Sequence, residues 1–254
     1  MLTEAQISEY SAVGYLVLKR TFTRAEVETL GAGFRRLEER AVRLSAPAVV
    51  DGASFVVERR AGRPVRIERI VWCGAAEPEL LRLGQKDSIV VPVAQLLGGP
   101  EMDQLINQAH IKNPGDGTTF HFHQDSYHRR YGTELFTDVN GRGSFVQALT
   151  AIDAMSAENG GLWVVPRSHL HGHIPTTDGR LPPGSFDAAL AIPLTLDEGD
   201  TVMFGPFTVH GSGQNSGTTS RRILINGFAC PGANRREYPG AGTGVRLKAW
   251  EVAA

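Results

Sequence analysis

The sequence has little cysteine, with only Cys73 and Cys230 among its 254 residues. Two cysteines cannot form a disulfide framework, so we expect both to be small buried side chains in a reducing, cytoplasmic compartment. The sequence also lacks an excess of charge of either sign, because 26 Lys and Arg residues stand against 27 Asp and Glu residues. A dedicated nucleic-acid-binding protein needs a basic footprint, so this balance excludes nucleic acid as the expected partner.

Long apolar runs are missing as well. No stretch approaches the 18 or so apolar residues that span a bilayer, so no membrane partner is expected. The opening MLTEAQISEY is polar and partly acidic, which is not the pattern of a secretory signal. What is present is a hydrophobic fraction of 41%, which excludes wholesale disorder, and 29 glycines and 14 prolines, which favour many turns.

The first hundred residues combine helices with a few strands. Capping boxes at 3–6 (Thr-x-x-Gln) and 23–26 (Thr-x-x-Glu) each predict a helix start. Apolar residues spaced by three or four predict that the second helix continues to Leu44. One further helical segment is expected over 78–97, and strands over 15–18, 54–58 and 65–72.

From residue 103 onwards, short strand-like runs alternate with turn clusters rich in Asn, Asp and Gly. We predict strands at 105–112, 118–123, 145–154, 162–165, 192–196, 201–204 and 222–229. The expected fold is α+β, a double-stranded β-helix (jelly roll) with flanking helices. We expect a single domain over 1–254, with a supporting part at about 1–100 and the metal-bearing core at about 103–230.

The first candidate metal ligands lie in the segment His123-Gln124-Asp125. Residues two apart on a strand share a face, so an imidazole and a carboxylate can reach one metal ion there. We expect His210, at the end of a short apolar strand, to supply a third ligand. Two histidines and one carboxylate form the facial triad of non-haem Fe(II) oxygenases. A hydrogen-bonded His–Asp pair is the alternative for His123 and Asp125, and His121 is expected to be a neighbouring pocket residue.

Arg221 follows His210 by eleven residues. A guanidinium binds a carboxylate through two parallel hydrogen bonds, which suits a dicarboxylic co-substrate. If Arg221 points inward, Ile223 and Ile225 share its face and line the barrel. A register slip of one residue would give this role to Arg222 instead.

Together, His-Gln-Asp, His210-Gly-Ser-Gly-Gln-Asn, Arg221 and the stretch Gly160-Gly-Leu-Trp-Val-Val-Pro-Arg-Ser-His resemble the phytanoyl-CoA dioxygenase family, which includes ectoine hydroxylases. The resemblance implies a double-stranded β-helix that uses Fe(II), with 2-oxoglutarate and O2 as co-substrates. It implies iron binding by His123, Asp125 and His210, and 2-oxoglutarate binding by Arg221. Gln108, Gln124 and Leu149 match positions that line the co-substrate pocket in relatives.

The sequence departs from the family pattern at two positions. Arg167 replaces the glycine that usually precedes Ser-His, and Leu149 stands where some relatives have Trp. The carboxylate that related halogenases lack is present as Asp125, which favours hydroxylation over halogen transfer. Tyr127, His128 and Trp163 flank the expected mouth and are candidate contacts for a small-molecule substrate.

Two other hypotheses about the function remain open. Gly117, His121 and His123 resemble the start of a cupin motif of a metalloenzyme that does not use 2-oxoglutarate, but residue 128 is His where a Glu is expected. The second hypothesis is a non-catalytic binding module on a jelly-roll scaffold.

The sequence does not indicate the substrate or the oligomeric state. The basic stretch 128–144 suits either an anionic substrate or solvent, and we expect His169, His171 and His173 to be polar surface residues rather than a metal tract.

Overall fold

The computed structural model describes residues 1–237 and 244–250. Within them lie five α-helices: α1 (Glu4–Val13), α2 (Arg24–Ala41), α3 (Pro78–Gly84), α4 (Asp87–Leu97) and α5 (Asp125–Arg129). None of the helices in this part of the chain is both long and apolar enough to cross a bilayer.

The strands of the described residues are short except near the centre of the larger sheet. They are β1 (Tyr15–Leu18), β2 (Ala48–Val50), β3 (Ala53–Glu58), β4 (Arg66–Val71), β5 (Glu101–Lys112), β6 (Phe120–His123), β7 (Phe145–Ala151), β8 (Leu162–Val164), β9 (Ile192–Pro193), β10 (Thr201–Phe204), β11 (His210–Ser212), β12 (Arg221–Ala229) and β13 (Val245–Lys248).

These strands form two antiparallel sheets. The major sheet has the order β1-β10-β7-β12-β5-β4-β3-β2, with β13 also paired to β5, and the minor sheet has the order β6-β11-β8-β9. Helices α3 and α4 pack against β5, β7 and β12, and α2 packs on α3. The structure therefore has the jelly-roll sandwich with flanking helices that the sequence predicts.

Strand β12 shows how the major sheet divides its two faces. Arg221, Ile223 and Ile225 line a cavity between the sheets, whereas Asn226 lies under α3, where it contacts Gly84. Because successive side chains of a strand point to opposite faces, one strand serves both the helix layer and the cavity. A β-carbon at position 84 would lie 2.6 Å from Asn226 Oδ1, so glycine allows this close approach.

Both capping boxes form as predicted: the Thr23 hydroxyl accepts from Glu26 N at 3.3 Å, and Thr3 makes the equivalent contact with Gln6. The predicted helix over 78–97 was wrong in one respect, because it is interrupted between α3 and α4. The break follows Gly84, where the chain presses against β12, a long-range contact that local periodicity does not encode.

Some predicted boundaries also need correction. Helix α2 ends at Ala41 rather than Leu44, and the strand predicted over 145–154 ends at Ala151. The strand predicted over 192–196 reduces to Ile192–Pro193. Contact with β8 continues one residue further, where Leu194 N donates to Leu162 O at 2.8 Å.

Both cysteines are free and buried, as the sequence predicts. Cys73 lies under the major sheet, where its Sγ is 3.3 Å from Asn107 Oδ1. Burial raises the pKa of the Cys73 thiol well above its ordinary value. These two thiols therefore contribute packing.

Arg167, which replaces the usual family glycine, keeps a glycine-like backbone with φ of 66°. Its amide donates to Val13 O at 2.8 Å, which ties the turn before Ser168–His171 to the end of α1. The side chain is exposed. A left-handed conformation costs an L-residue about 1–2 kcal/mol, so the arginine stores local strain here.

We expect Arg167→Gly to raise the free energy of unfolding by up to about 1 kcal/mol, because relief of the strain exceeds the extra chain entropy of about 0.4–1 kcal/mol that glycine adds to the unfolded state. Arg167→Ala is the matched control, since it removes the guanidinium but keeps the β-carbon, and it should change stability little. Urea unfolding midpoints test this. A glycine variant clearly less stable than the alanine variant would contradict the strain argument.

Candidate active site

Two histidines face each other across neighbouring strands of the minor sheet. His123 ends β6 and His210 begins β11, and the antiparallel pairing places them directly opposite each other. Their ring centroids are 4.3 Å apart. Asp125 joins them, and one potential ligand atom from each of the three residues lies within 4.8 Å of the others. Among the described residues, this is the one such group of three or more His, Cys, Asp or Glu side chains.

The route to this arrangement differs from the prediction in two ways. Asp125 is not on the strand with His123 but is the first residue of α5, so a turn at Gln124, rather than the two-residue period of a strand, brings the carboxylate to the imidazole. His210 starts a strand of the minor sheet instead of ending an apolar one.

Hydrogen bonds orient both imidazoles. Nδ1 of His123 lies 2.7 Å from His121 O, and Nδ1 of His210 lies 2.9 Å from Thr208 O. A carbonyl only accepts, so each Nδ1 carries the proton and each Nε2 keeps its lone pair for a metal. Backbone carbonyls commonly orient metal-binding histidines in this way.

The protonation states also suit a divalent cation. Burial, followed by the His123 charge, lowers the pKa of His210 to about 4, so its ring is neutral at pH 7. Burial by itself raises the pKa of Asp125, but the neighbouring His210 and His123 outweigh it and the carboxyl pKa falls below its ordinary range. Asp125 Oδ2 is buried without a hydrogen-bond partner. A neutral His210 imidazole beside His123 and a carboxylate with a buried, unpartnered oxygen fit a divalent metal.

Arg221 is the second polar feature of the cavity. It is 2% exposed, and Nη2 donates to Gly160 O at 3.0 Å. Its Nε and Nη1 atoms are buried without hydrogen-bond partners. Burial lowers the pKa of the guanidinium to about 10, which still leaves it charged at pH 7. A buried cation with two unused donors fits a carboxylate ligand.

Arg222 points away from this cavity. Its Nε and Nη2 atoms donate to Asp153 at 2.8 and 2.6 Å. The register that sequence analysis favoured, with Arg221 inward, is therefore the one in the structure.

Sequence reasoning missed Lys112 and Ser212. Lys112 is the β5 neighbour of Arg221, and its Nζ donates to Ser212 Oγ at 2.7 Å and to Gly213 O at 2.5 Å. Burial, followed by the charge of Arg221, lowers the pKa of Lys112 to about 7. Ser212 lines the cavity two residues after His210. The two-residue period of a strand starting at His210 would have indicated Ser212, whereas the position of Lys112 depends on strand register.

The other candidate residues divide into two groups. Gln108, Leu149 and His128 line the cavity, which has a volume of about 610 Å³. Gln124, Tyr127 and Trp163 are not among its lining residues, which corrects their expected positions. Trp163 lies between Leu162 and Val164 on β8, which are buried, so strand alternation turns the indole away.

Gln124 supports the metal group from behind. Its Nε2 donates to Gly172 O at 2.9 Å and to Phe207 O at 2.6 Å, and its Oε1 accepts from Ile174 N at 2.8 Å. The amide thus joins the His123–Asp125 turn to the chain that leads into His210. Tyr127 instead packs on Gly179, where a β-carbon would come within 2.8 Å of its ring.

The histidines at 169, 171 and 173 do not gather around a common point. His169 Nε2 lies 3.0 Å from Ser11 O, His173 Nδ1 lies 2.8 Å from Ser126 Oγ, and His171 is exposed. Two of the three therefore tie loops to the body of the protein.

The half-buried His110 in the cavity wall leads to a prediction about pH. Burial, followed by the charges of Arg221, Arg69 and Lys112, lowers its pKa from 6.5 to about 3. The unfolded chain therefore takes up this proton first, and the stability that depends on neutral His110 is complete above about pH 6.5 and is lost as the pH falls towards 3. One such group contributes a slope of about 1.4 kcal/mol per pH unit in this window.

We expect His110→Gln to flatten the decline in unfolding free energy of the metal-free protein between about pH 6.5 and 5 by approximately this slope. Chemical unfolding at several pH values measures it. His171→Gln, on an exposed loop, is the control and should keep the parental pH dependence. An unchanged slope in His110→Gln would show that His110 takes up its proton in the folded state.

The sequence and fold are similar to those of known dioxygenases. The family model "Phytanoyl-CoA dioxygenase (PhyH)" matches residues 10–223. Human peroxisomal phytanoyl-CoA dioxygenase is 26% identical over 242 residues, covering 90% of this chain and 69% of that protein. Dioxygenase lolE1 of Epichloe uncinata is 34% identical over 83 residues, which cover 33% of this chain and 32% of lolE1. Dioxygenase cdmD of Talaromyces verruculosus is 28% identical over 133 residues, which cover 52% of this chain and only 41% of cdmD.

Solved structures share the fold at lower sequence identity. EctD from S. alaskensis has a TM-score of 0.71 and 23% identity, covering 100% of this chain and 86% of that chain. The 2-oxoglutarate-dependent epimerase SnoN of nogalamycin biosynthesis has a TM-score of 0.68 and 19% identity, covering 94% of each chain. The match of the family model over most of the sequence shows that this chain belongs to the phytanoyl-CoA dioxygenase family.

Proposed function

We propose that this protein is a non-haem Fe(II)- and 2-oxoglutarate-dependent oxygenase that oxidises a small molecule. The observation that carries this proposal is one cavity with a His123–Asp125–His210 group and the buried, incompletely paired Arg221 guanidinium. The family membership and the shared fold support the same reaction class.

Each proposed role follows from the contacts of its residue. His123, Asp125 and His210 would hold Fe(II), and three protein ligands would leave coordination positions open for other ligands. The bound iron, with 2-oxoglutarate and O2, supplies an oxidant strong enough to attack a C–H bond. Arg221 would bind the far carboxylate of 2-oxoglutarate, because its buried guanidinium has N–H groups without a hydrogen-bond partner. Gln108, Leu149 and Ile225 would form the wall beside it and exclude water.

Hydroxylation is the outcome we propose for the substrate. Asp125 supplies the carboxylate whose absence characterises the related halogenases. Because SnoN, a protein of the same fold, is described as an epimerase, the fold alone does not select the outcome.

The cupin and binding-module alternatives explain less of the structure. Neither needs a buried guanidinium with two unsatisfied donors in the same cavity as the triad. Iron-dependent release of succinate from 2-oxoglutarate separates the proposed oxygenase from both. We also propose a cytoplasmic location, which the two free, buried thiols support.

The first test removes the iron ligands one at a time. His123→Ala, Asp125→Ala and His210→Ala should each abolish turnover and sharply weaken iron binding, because a three-ligand site loses an entire donor. The thermal unfolding of the metal-free variants should remain cooperative. Iron content after desalting measures the effect, and His121→Ala, a neighbour outside the triad, should retain iron. Normal iron content in His210→Ala would refute the triad.

The second test concerns the co-substrate. Loss of the buried guanidinium should cost about 2–5 kcal/mol of binding, so Arg221→Ala should raise the apparent constant for 2-oxoglutarate about 30-fold or more. Arg221→Lys should recover only part, because an ammonium lacks the planar fork.

Arg222→Ala is the matched control for this test. It breaks the ion pair with Asp153 outside the cavity, so stability should fall slightly while the apparent constant for 2-oxoglutarate stays close to the parental value. Following 2-oxoglutarate consumption in all three variants makes the comparison. An effect confined to Arg222→Ala would refute the role of Arg221.

A further inference from the structure

Lys112 is a buried cation to which the roles above assign no task. Its side chain is 0% exposed and is not among the residues that line the cavity. It lies on β5 directly opposite Arg221 on β12, so two cationic side chains are neighbours in the major sheet. Like charges directly opposite each other destabilise a sheet, and a buried charge is costly unless its donors are paired. Packing alone therefore does not explain a lysine at this position.

The Lys112 ammonium meets three hydrogen-bond acceptors. Its Nζ donates to Ser212 Oγ at 2.7 Å, to Gly213 O at 2.5 Å and to Gly160 O at 3.4 Å. An ammonium has three N–H groups, so these acceptors use all of them. Gly160 O also accepts from Arg221 Nη2 at 3.0 Å. One carbonyl thus joins the two cations, and Lys112 connects Arg221 with Ser212.

The bond to Ser212 determines which way that hydroxyl can donate. An ammonium only donates, so Ser212 Oγ accepts from Lys112 and keeps its own proton for another partner. Ser212 lines the cavity together with Arg221. A neutral amine would instead have two N–H groups for the two carbonyls and a lone pair that accepts the Ser212 proton. Only a charged Lys112 therefore leaves this proton available to a ligand in the cavity.

We propose that Lys112 is a positioning residue for the dicarboxylic co-substrate. Its ammonium holds Ser212 Oγ so that the hydroxyl can donate to the carboxylate bound by Arg221, and it adds a second positive charge behind that carboxylate. Binding of the co-substrate is then linked to the protonation of Lys112. The inference rests on the 2-oxoglutarate dependence proposed above.

The charged groups around Lys112 make this linkage possible near neutral pH. Burial, followed by the charge of Arg221, lowers the pKa of Lys112 to about 7, and Asp116 in the turn after β5 opposes this change. His110, two residues earlier on β5, has a pKa of about 3 and stays neutral. The other groups that face Nζ are the Phe120 ring, at 5.2 Å, a serine hydroxyl and two backbone carbonyls, none of which titrates in this range. A carboxylate beside Arg221 would raise the pKa of Lys112, because an opposite charge favours the ammonium.

Affinity for 2-oxoglutarate should therefore be highest below about pH 7, where Lys112 is charged with or without the co-substrate. As the pH rises further, the free protein loses the Lys112 proton while the complex keeps it, so binding takes up a proton. Both carboxylates of the co-substrate stay ionised throughout this range. The apparent dissociation constant should rise about fourfold or more between about pH 7 and 8.5.

Isothermal titration calorimetry of the Fe(II)-loaded protein without O2 measures this binding, because no turnover takes place. Titrations at about pH 8 in two buffers of different ionisation enthalpy count the protons, and the parental protein should take up about half a proton per 2-oxoglutarate. Lys112→Met and Lys112→Arg should take up close to none, because neither new side chain titrates near this pH. Parental uptake in Lys112→Met would overturn the inference.

Lys19→Met is the matched control. Lys19 follows β1 and pairs with Asp197 and Asp200 instead of the cavity groups. This variant should keep the parental proton uptake and the parental pH dependence of 2-oxoglutarate binding. An equal loss of proton uptake in Lys19→Met would overturn the assignment to Lys112.

The affinities themselves test the positioning role. At about pH 7, Lys112→Met should weaken 2-oxoglutarate binding about fivefold or more, and Lys112→Arg should recover part of this loss, because it keeps the charge. Since Lys112 is proposed to act through Ser212, the double variant with Ser212→Ala should lose less than the product of the two single effects. Fully multiplicative effects would overturn the proposed connection.

Thermal unfolding shows whether each variant folds. A purely structural lysine would lower stability on substitution but leave the proton count unchanged. If Lys112→Met does not fold, the proton counts of the parental protein and of Lys112→Arg decide. If 2-oxoglutarate binds to the parental protein without proton uptake, the inference about Lys112 alone fails; if it does not bind to the Fe(II)-loaded protein at all, the proposed function fails too.

Discussion

The buried charge of Arg221 is the constraint around which the inner cavity is arranged. A guanidinium removed from water is costly unless its donors find acceptors. One donor is satisfied by Gly160 O, and the charges of Asp116 and Asp153 act to keep the group protonated. Gly160 has φ of 76°, and a β-carbon there would lie 2.9 Å from Gly213 O. Glycine is therefore needed where this carbonyl meets the guanidinium.

The two sheets make different contributions to the site. The minor sheet carries His123 and His210 as a directly opposed pair, so that one antiparallel register determines the distance between two metal-ligand candidates. The major sheet carries Arg221, Gln108 and Leu149 on paired strands. Because each group is attached to a hydrogen-bonded ladder, the helices on the far side of the major sheet stabilise the site without contacting it.

A turn and a β-bulge position side chains that the regular strands of the two sheets do not. The turn at Gln124 brings Asp125 to the two imidazoles, and the Gln124 amide ties that turn to the segment before His210. The bulge at Glu68 turns Arg69 towards the cavity. The ladders thus set the inner site, and the turns and bulges shape its outer part.

Local sequence was sufficient to predict the features that depend on neighbours a few residues away. The capping boxes at Thr3 and Thr23 need only the next turn of helix, and the two-residue period of β12 assigns Arg221, Ile223 and Ile225 to one face. The motif around His123 and His210, together with the wider resemblance, was enough to indicate the family. Long-range packing decided the break between α3 and α4, the direction of Gln124 and Trp163 away from the cavity, and the position of Lys112 beside Arg221. These features depend on the direction of a turn, a bulge or the register between strands that are distant in sequence, and local preferences do not specify the long-range packing energies that select them.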